Sequence, residues 1–221
     1  MMEQRGNEWF SARAGIVTGS RVAEIMANGN GRKNYMTELL AYRLTGQRAQ
    51  GFTSQAMERG IELEDLAKKE YEARNFEFID DVGLIYHEKI GLFGGSPDGL
   101  VGEEGGIEIK CPNTATHIDT VLNGTIKKNY IFQMQSYMAI TGRKWFDFVS
   151  FDDRLGDDLC FYQKRVFRDD KLIAEIEKAV IAFLSELEAL ENKLRGGDKV
   201  EKRAREILAE KKKQKEIDNI F

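Results

Sequence analysis

The stretch GGSPDGLVGEEGGIEIKCP, residues 94–112, limits what this chain can fold into more than any other. Pro97 and Pro112, the two prolines of the sequence, bracket two strand patterns joined by a glycine-rich GEEGG turn. Side chains alternate faces along a strand, so Ile107 and Ile109 share one face while Glu108 and Lys110 share the other. If the first strand folds back through the turn, Asp98 arrives beside Glu108. Two carboxylates that close repel unless a proton or a cation lies between them. A hard divalent cation prefers oxygen ligands, and Mg²⁺ commonly takes one or two carboxylates together with water and substrate phosphate. Lys110 beside such an ion can lower the pKa of an attacking water or steady charge developing on phosphorus. The pattern therefore points to phosphodiester hydrolysis. The plainer alternative is a surface hairpin whose Glu and Lys form a solvated pair worth at most about 1 kcal/mol.

Helical and strand patterns alternate along the rest of the chain. NEWFSARAGIVTGSRVAEIMANG predicts a short helix, a turn and a second helix from Ser20 to Gly29; NGNGRKN (28–34) predicts a loop with basic residues free to touch a nucleic-acid backbone. Helices are expected up to Gly46, over about 55–74, 117–122 and 130–140, and from Asp169 to Leu194. The last has Leu172, Ile176, Val180, Phe183, Leu187, Leu190 and Leu194 on its apolar stripe. Strand patterns fill 76–102, GIEIKC, KWFDFVSFD and LCFYQKRVF, the aromatics of KWFDFVSFD reading as core. This order gives an α/β domain over residues 1–195 with a mixed central sheet flanked by helices, followed by a charged, helical tail at 196–221.

On a helix over 57–74, Met57, Ile61, Leu63, Leu66, Ala67 and Tyr71 form one arc, and Glu64 falls inside it. A carboxylate on a packed face needs a partner, and a metal shared with Asp98 and Glu108 supplies one. Glu70 also lies within the arc, where an ion pair to Arg74 explains it without any site. His87 and His117 lack paired ligand spacing and read as structural, and Cys111 and Cys160 as reduced thiols.

Charge does not exclude a nucleic-acid substrate. The total is −4, but from Lys193 onward ten Lys/Arg face six Asp/Glu, a tail of +4 that leaves −8 on the first 192 residues. Bound metal offsets carboxylates, and a local basic lining can hold phosphates on an acidic body. No apolar run approaches the roughly 18 residues of a membrane span. The opening MMEQRGNEWF lacks the order of a signal peptide, so a cytoplasmic location in a bacterial host is expected.

Four segments together carry a resemblance: SPDGL (96–100), GIEIKCP (106–112), RGIELEDLA (59–67) and FQMQSYMAITG (132–142). The chain resembles the phage lambda-type exonucleases, the YqaJ-like viral recombinase branch of the PD-(D/E)XK nucleases, from EWFSARAGIVTGSRVAEI to KWFDFVSFD. The resemblance implies a restriction-endonuclease-like core and a Mg²⁺-dependent enzyme, with Mn²⁺ as a substitute. Such an enzyme digests one strand of duplex DNA from its 5′ end. It forms a homotrimer ring on the DNA and works with a phage single-strand annealing protein, with no membrane involved. By that resemblance Asp98 and Glu108 ligate metal, the Ile109 carbonyl is a further ligand, Glu64 completes the site and Lys110 is catalytic. Gln133 and Gln135 correspond to site-lining glutamines, although as residues they are polar positions more often facing solvent. Arg13, Ser20 and Ser96 match positions that hold a terminal 5′ phosphate, which an Arg fork and hydroxyls beside a helix start can do. Ser20 also reads as an ordinary N-cap. Competing readings are another nuclease on the same core, endonucleolytic or single-strand-specific, and a non-catalytic DNA-binding module.

Overall fold

The computed structural model describes residues 7–47 and 55–196, with Arg203 and Ile207 beyond them. The tail expected at 196–221 otherwise lies outside the described residues. α1 (Asn7–Arg13) leads into β1 (Val17–Thr18), a 3-10 turn (Gly19–Arg21) and α2 (Val22–Ala27). β1 runs parallel to β4 (Phe93–Gly95), which pairs on its other side with β3 (Ile85–Tyr86). The main sheet has the order β2 (Ile79–Asp80), β5 (Gly99–Val101), β6 (Gly105–Lys110), β7 (Trp145–Phe151) and β8 (Phe161–Phe167). Its β6–β7 pair is parallel and the others antiparallel, so the sheet is mixed. A parallel neighbour requires a crossover, and α5 (Thr114–Asn123) with α6 (Lys128–Thr141) provides it.

The two faces of the sheet are covered by different helices. α4 (Gln55–Asn75) lays Leu63, Ala67 and Tyr71, four residues apart, against Ile107, Ile109, Val149 and Phe151. The buried stripe is narrower than the sequence arc, since Ile61 and Leu66 stay 42% and 48% exposed. A single helix on one face needs only one row of contacts. Glu70, inside the same arc, pairs with Arg74 at 2.6 Å. On the other face α6 is buried almost all round, between Phe146 and Phe148 of the sheet and the layer of α2, α3 (Asn30–Thr45) and α7 (Asp170–Leu194).

Asp169 caps α7 by accepting from the N–H groups of Lys171 and Leu172 at 3.0 and 3.1 Å. α7 buries Ile173, Ile176, Val180, Phe183 and Leu187. Leu194, expected on this stripe, is 63% exposed near the end of the helix. The loop expected at 28–34 is instead the start of α3. Asn28 adopts the left-handed conformation that closes α2, and α3 begins at Asn30. Arg32 donates to Glu186 of α7 at 2.6 Å and lies 5.1 Å from the centre of the Phe183 ring, so its charge is engaged within the fold. Both cysteines are free thiols. Both histidines are buried in structural roles: His117 bonds Ser150 Oγ and the Leu159 carbonyl at 2.8 Å each, and His87 Nδ1 accepts from Lys89 and Ile90 N–H.

Candidate active site

The hairpin closes as its alternation requires. Gly99 lies opposite Ile107, which places Asp98 opposite Glu108. Asp98 Oδ2 accepts the Ile109 N–H at 2.7 Å, fixing the carboxylate at the strand edge. Ile107 and Ile109 face α4, while Glu108 and Lys110 face α6. Glu108 has no exposed surface. The Lys110 ammonium is in ion-pair contact with Glu108 Oε1. Lys110 is thus the partner of this carboxylate through Oε1, while Oε2 has no hydrogen bond among the described residues.

The electrostatics follow from this burial. Desolvation pushes the Glu108 pKa well above the carboxylate range; Lys110 opposes the shift, while Asp98 and Glu64 add to it. For Lys110 burial alone would lower the pKa, but Glu108 and Asp98 outweigh it and hold the side chain as an ammonium. Lys110 also lies 5.3 Å from the centre of the Tyr130 ring, itself stacked on Phe148 at 5.6 Å. Cys111, next along, has its pKa pushed up to about 12 by burial and by Glu64 and Asp98, so it remains a thiol rather than a nucleophile.

Glu64 is carried by the helix on the opposite face of the sheet, close enough to perturb both Glu108 and Cys111. Among the described residues no three His, Cys, Asp or Glu side chains converge as a group able to hold a metal ion. Glu64, Asp98 and Glu108 therefore do not form a closed three-carboxylate cage. The donor set still fits a hard divalent cation: a buried carboxylate with one oxygen left without a hydrogen bond, opposed by a second carboxylate, suits an ion that keeps several waters and needs one or two carboxylates.

The two glutamines separate. Both are buried rather than solvent-facing. Gln133 donates to Tyr137 Oη at 3.0 Å. Gln135 points elsewhere: it donates to the Phe167 carbonyl at 2.8 Å and accepts from the Asp169 N–H at 2.9 Å. Two residues apart on a helix, the side chains diverge by about 200°, and Gln135 serves as a clasp between α6 and the start of α7. Its expected place lining the site is not what the structure gives.

Arg13, Ser20 and Ser96 do come together, around a residue the sequence reading did not single out. Arg13 reaches Ser20 Oγ at 3.4 Å, and Ser20 lies 3.3 Å from Thr18 Oγ1. Trp9 donates its indole N–H to Ser96 Oγ at 2.9 Å, and the Arg13 guanidinium lies 4.2 Å from the centre of the Trp9 ring. Ser20 belongs to the 3-10 turn and caps no helix; α2 begins at Val22.

Tyr137 stands between this group and the carboxylates. Burial raises its pKa, Glu108 and Asp98 raise it further, and Arg13 opposes them. A Cβ on Gly95 would come within 2.5 Å of the Tyr137 ring, and one on Gly19 within 2.8 Å, so bare backbone on both sides lets the ring sit there. Tyr137 falls four residues after Gln133, a helical spacing that could have flagged it.

A mixed sheet flanked by helices, with an acid–x–Lys strand beside an aspartate, defines a restriction-endonuclease-like fold. Residues 8–144 match the YqaJ-like viral recombinase domain. The chain belongs to the YqaJ-like viral recombinase family. It is similar to the alkaline exonuclease LHK-Exo of Laribacter hongkongensis, with 54% identity, a TM-score of 0.84, and coverage of 88% of this chain and 100% of that one. A second structure of LHK-Exo is its complex with dAMP. The phage-related exonuclease of Haemophilus somnus 129PT, at 20% identity and TM-score 0.67 over 81% of this chain and 96% of that one, shares the fold. A search of curated proteins gives no significant match.

Proposed function

We propose that the protein is a divalent-metal-dependent exonuclease that degrades one strand of linear duplex DNA from its 5′ end. The 3′ single strand left behind would serve recombination by strand annealing. The observation that carries this reading is the Glu108 carboxylate, fully buried, opposed by Asp98 and ion-paired to Lys110. The activity of LHK-Exo supports the reaction class, and the dAMP of its complex is of the kind such a reaction releases.

Asp98, Glu108 and the Ile109 carbonyl would hold Mg²⁺ or, in its place, Mn²⁺, with Glu64 adding negative charge from α4. When bound, the ion supplies positive charge to the scissile phosphate and makes water more acidic. Lys110, kept charged between Glu108 and the Tyr130 face, donates to the phosphate oxygens as negative charge grows there. Water adds to phosphorus and the P–O3′ bond breaks. The departing O3′ takes up a proton and becomes the 3′ hydroxyl of the released nucleotide, and the shortened strand again begins with a 5′ phosphate. Arg13, Ser20 and Ser96 would receive that terminal group. A homotrimer around the duplex, and an annealing protein taking the 3′ strand, complete the reading.

Incubation with linear duplex, nicked circular duplex and single-stranded DNA, each with Mg²⁺ and with chelator, tests it. Metal-dependent release of mononucleotides from 5′-labelled linear duplex is expected. Cutting of the circle would indicate an endonuclease, and metal-dependent binding without release a non-catalytic module.

A further inference from the structure

We infer that Trp9 is a positioning residue for the choice of DNA end, acting through Ser96 and Arg13; the inference rests on those residues forming the 5′-phosphate pocket. An indole N–H can only donate a hydrogen bond. With Trp9 Nε1 2.9 Å from Ser96 Oγ, the serine must be the acceptor, which leaves its own hydroxyl hydrogen to be given to an anion. Ser96 is 6% exposed, so bulk water has little access with which to reorient that hydroxyl. The face of the same indole supports the Arg13 guanidinium at 4.2 Å from the ring centre. Trp9 is itself only 9% exposed, with both its N–H and its ring face engaged. One side chain thus organises two donors from segments far apart in sequence: Arg13 at the end of α1, and Ser96 on the link from β4 into β5. Ser96 precedes Asp98 by two residues, so the spacing from pocket to catalytic carboxylate is set by one short stretch of backbone. A terminal phosphate accepts from both donors, whereas a terminal hydroxyl carries no anion for them.

The test compares kcat/KM for 5′-phosphorylated and 5′-hydroxyl duplexes of one sequence. Trp9→Phe keeps an aromatic face for Arg13 and removes the N–H. The preference for phosphate should fall about fivefold, the worth of one ordinary hydrogen bond, with the change mainly in KM for the phosphorylated duplex. Trp9→Leu removes both contacts and should lower the preference further. In a Ser96→Ala background, Trp9→Phe should make no additional difference to the ratio. Benzothienylalanine at position 9 preserves the ring's size and lacks the N–H, so it should reproduce the Phe result even if the smaller ring disturbs folding. A Trp9→Phe or benzothienylalanine enzyme with unaltered preference overturns the inference, as does a loss equally large without Ser96. A wild-type enzyme indifferent to the terminal phosphate would remove the pocket reading itself, and that result appears before any substitution is made.

Discussion

At Glu108 and Lys110 two charges share a site that neither could occupy alone. Without Lys110 a buried carboxylate would be left uncompensated, and without Glu108 and Asp98 burial would favour a neutral amine. The same pairing keeps Lys110 charged where the proposed chemistry needs a donor. Lys110→Ala should therefore lower turnover at least about a hundredfold while DNA binding is nearly retained. Asp98→Ala should instead weaken Mg²⁺ binding itself, measurable by titration calorimetry. A Lys110→Ala enzyme that digests DNA at the wild-type rate would remove the proposed role. Asp152 makes a residue-scale case with a different readout. It is fully buried and accepts from Arg154 at 2.7 Å and from Arg59 at 3.2 Å. Burial alone would raise its pKa, but the hydrogen bonds from Arg154 and Thr114 hold it below the usual carboxylate range. A depressed pKa stabilises the fold above the unfolded value of about 3.9, and that contribution is lost as pH falls through the folded value. Because Arg154 is half-exposed, Asp152→Asn should cost about 2 kcal/mol at pH 7, less than breaking a fully enclosed pair. In urea unfolding the gap from wild type should stay constant down to about pH 5 and narrow progressively below about pH 4, closing only as pH nears the depressed folded value. A gap that persists under acid would assign the cost to packing.

Among the elements, α4 brings Glu64 toward the buried carboxylate and is fastened at both ends. Near its start Arg59 donates to Asp152 and is ion-paired with Asp153. Two turns after Glu64, Tyr71 donates to the buried Asp147 at 2.8 Å, and Asp147 is also held by Gln163 and by a two-pronged contact from Arg165. Tyr71→Phe removes one bond to a carboxylate that keeps its other partners. The expected loss is about 1.5 kcal/mol, or about 4 °C in Tm for a chain of this size. A larger drop in Tm would mean that Tyr71 alone fixes the helix. The sequence disclosed this architecture unevenly, for physical reasons. The β5–β6 hairpin was legible because a period of two puts Ile107 and Ile109 on one face and Glu108 and Lys110 on the other whatever covers the sheet. The reach of α4 was not: periodicity gives the direction of an apolar arc but not the width of the surface it meets, so Ile61 and Leu66 were placed inside and lie at its margin. The start of α3 was hidden because Gly29 and Asn30 read as a loop although they open a helix. Gln133 and Gln135 looked equivalent until their helix was packed on both sides. The bond from Trp9 to Ser96 joins residues 87 positions apart, and no local pattern announces it.

Over the whole molecule, charge is divided between an acidic body and a basic end. The first 192 residues carry −8 and the rest +4, while Glu64, Asp98 and Glu108 concentrate negative charge where, on the proposed function, a polyanion approaches. Within the body several exposed or half-exposed cations already serve the fold, as Arg59 and Arg154 do at Asp152 and Arg32 does at Glu186. The C-terminal segment, +4 by sequence from Lys193 onward, is a second candidate source of phosphate contacts. If it lies along the duplex, each Lys or Arg that neutralises a phosphate releases counterions, and log K should fall with log salt at about 0.9 per contact. Truncation after residue 195 should then weaken binding at low salt and make the slope shallower, by about 3 if four phosphates are contacted. Fluorescence anisotropy of a labelled duplex from about 50 to about 300 mM salt, in a Lys110→Ala background so that the DNA survives, measures both quantities. Weaker binding with an unchanged slope would mean that the segment supports the assembly or a partner rather than the phosphates. In that case the steering charge must come from the body, and the Arg13 pocket would be the first place to seek it.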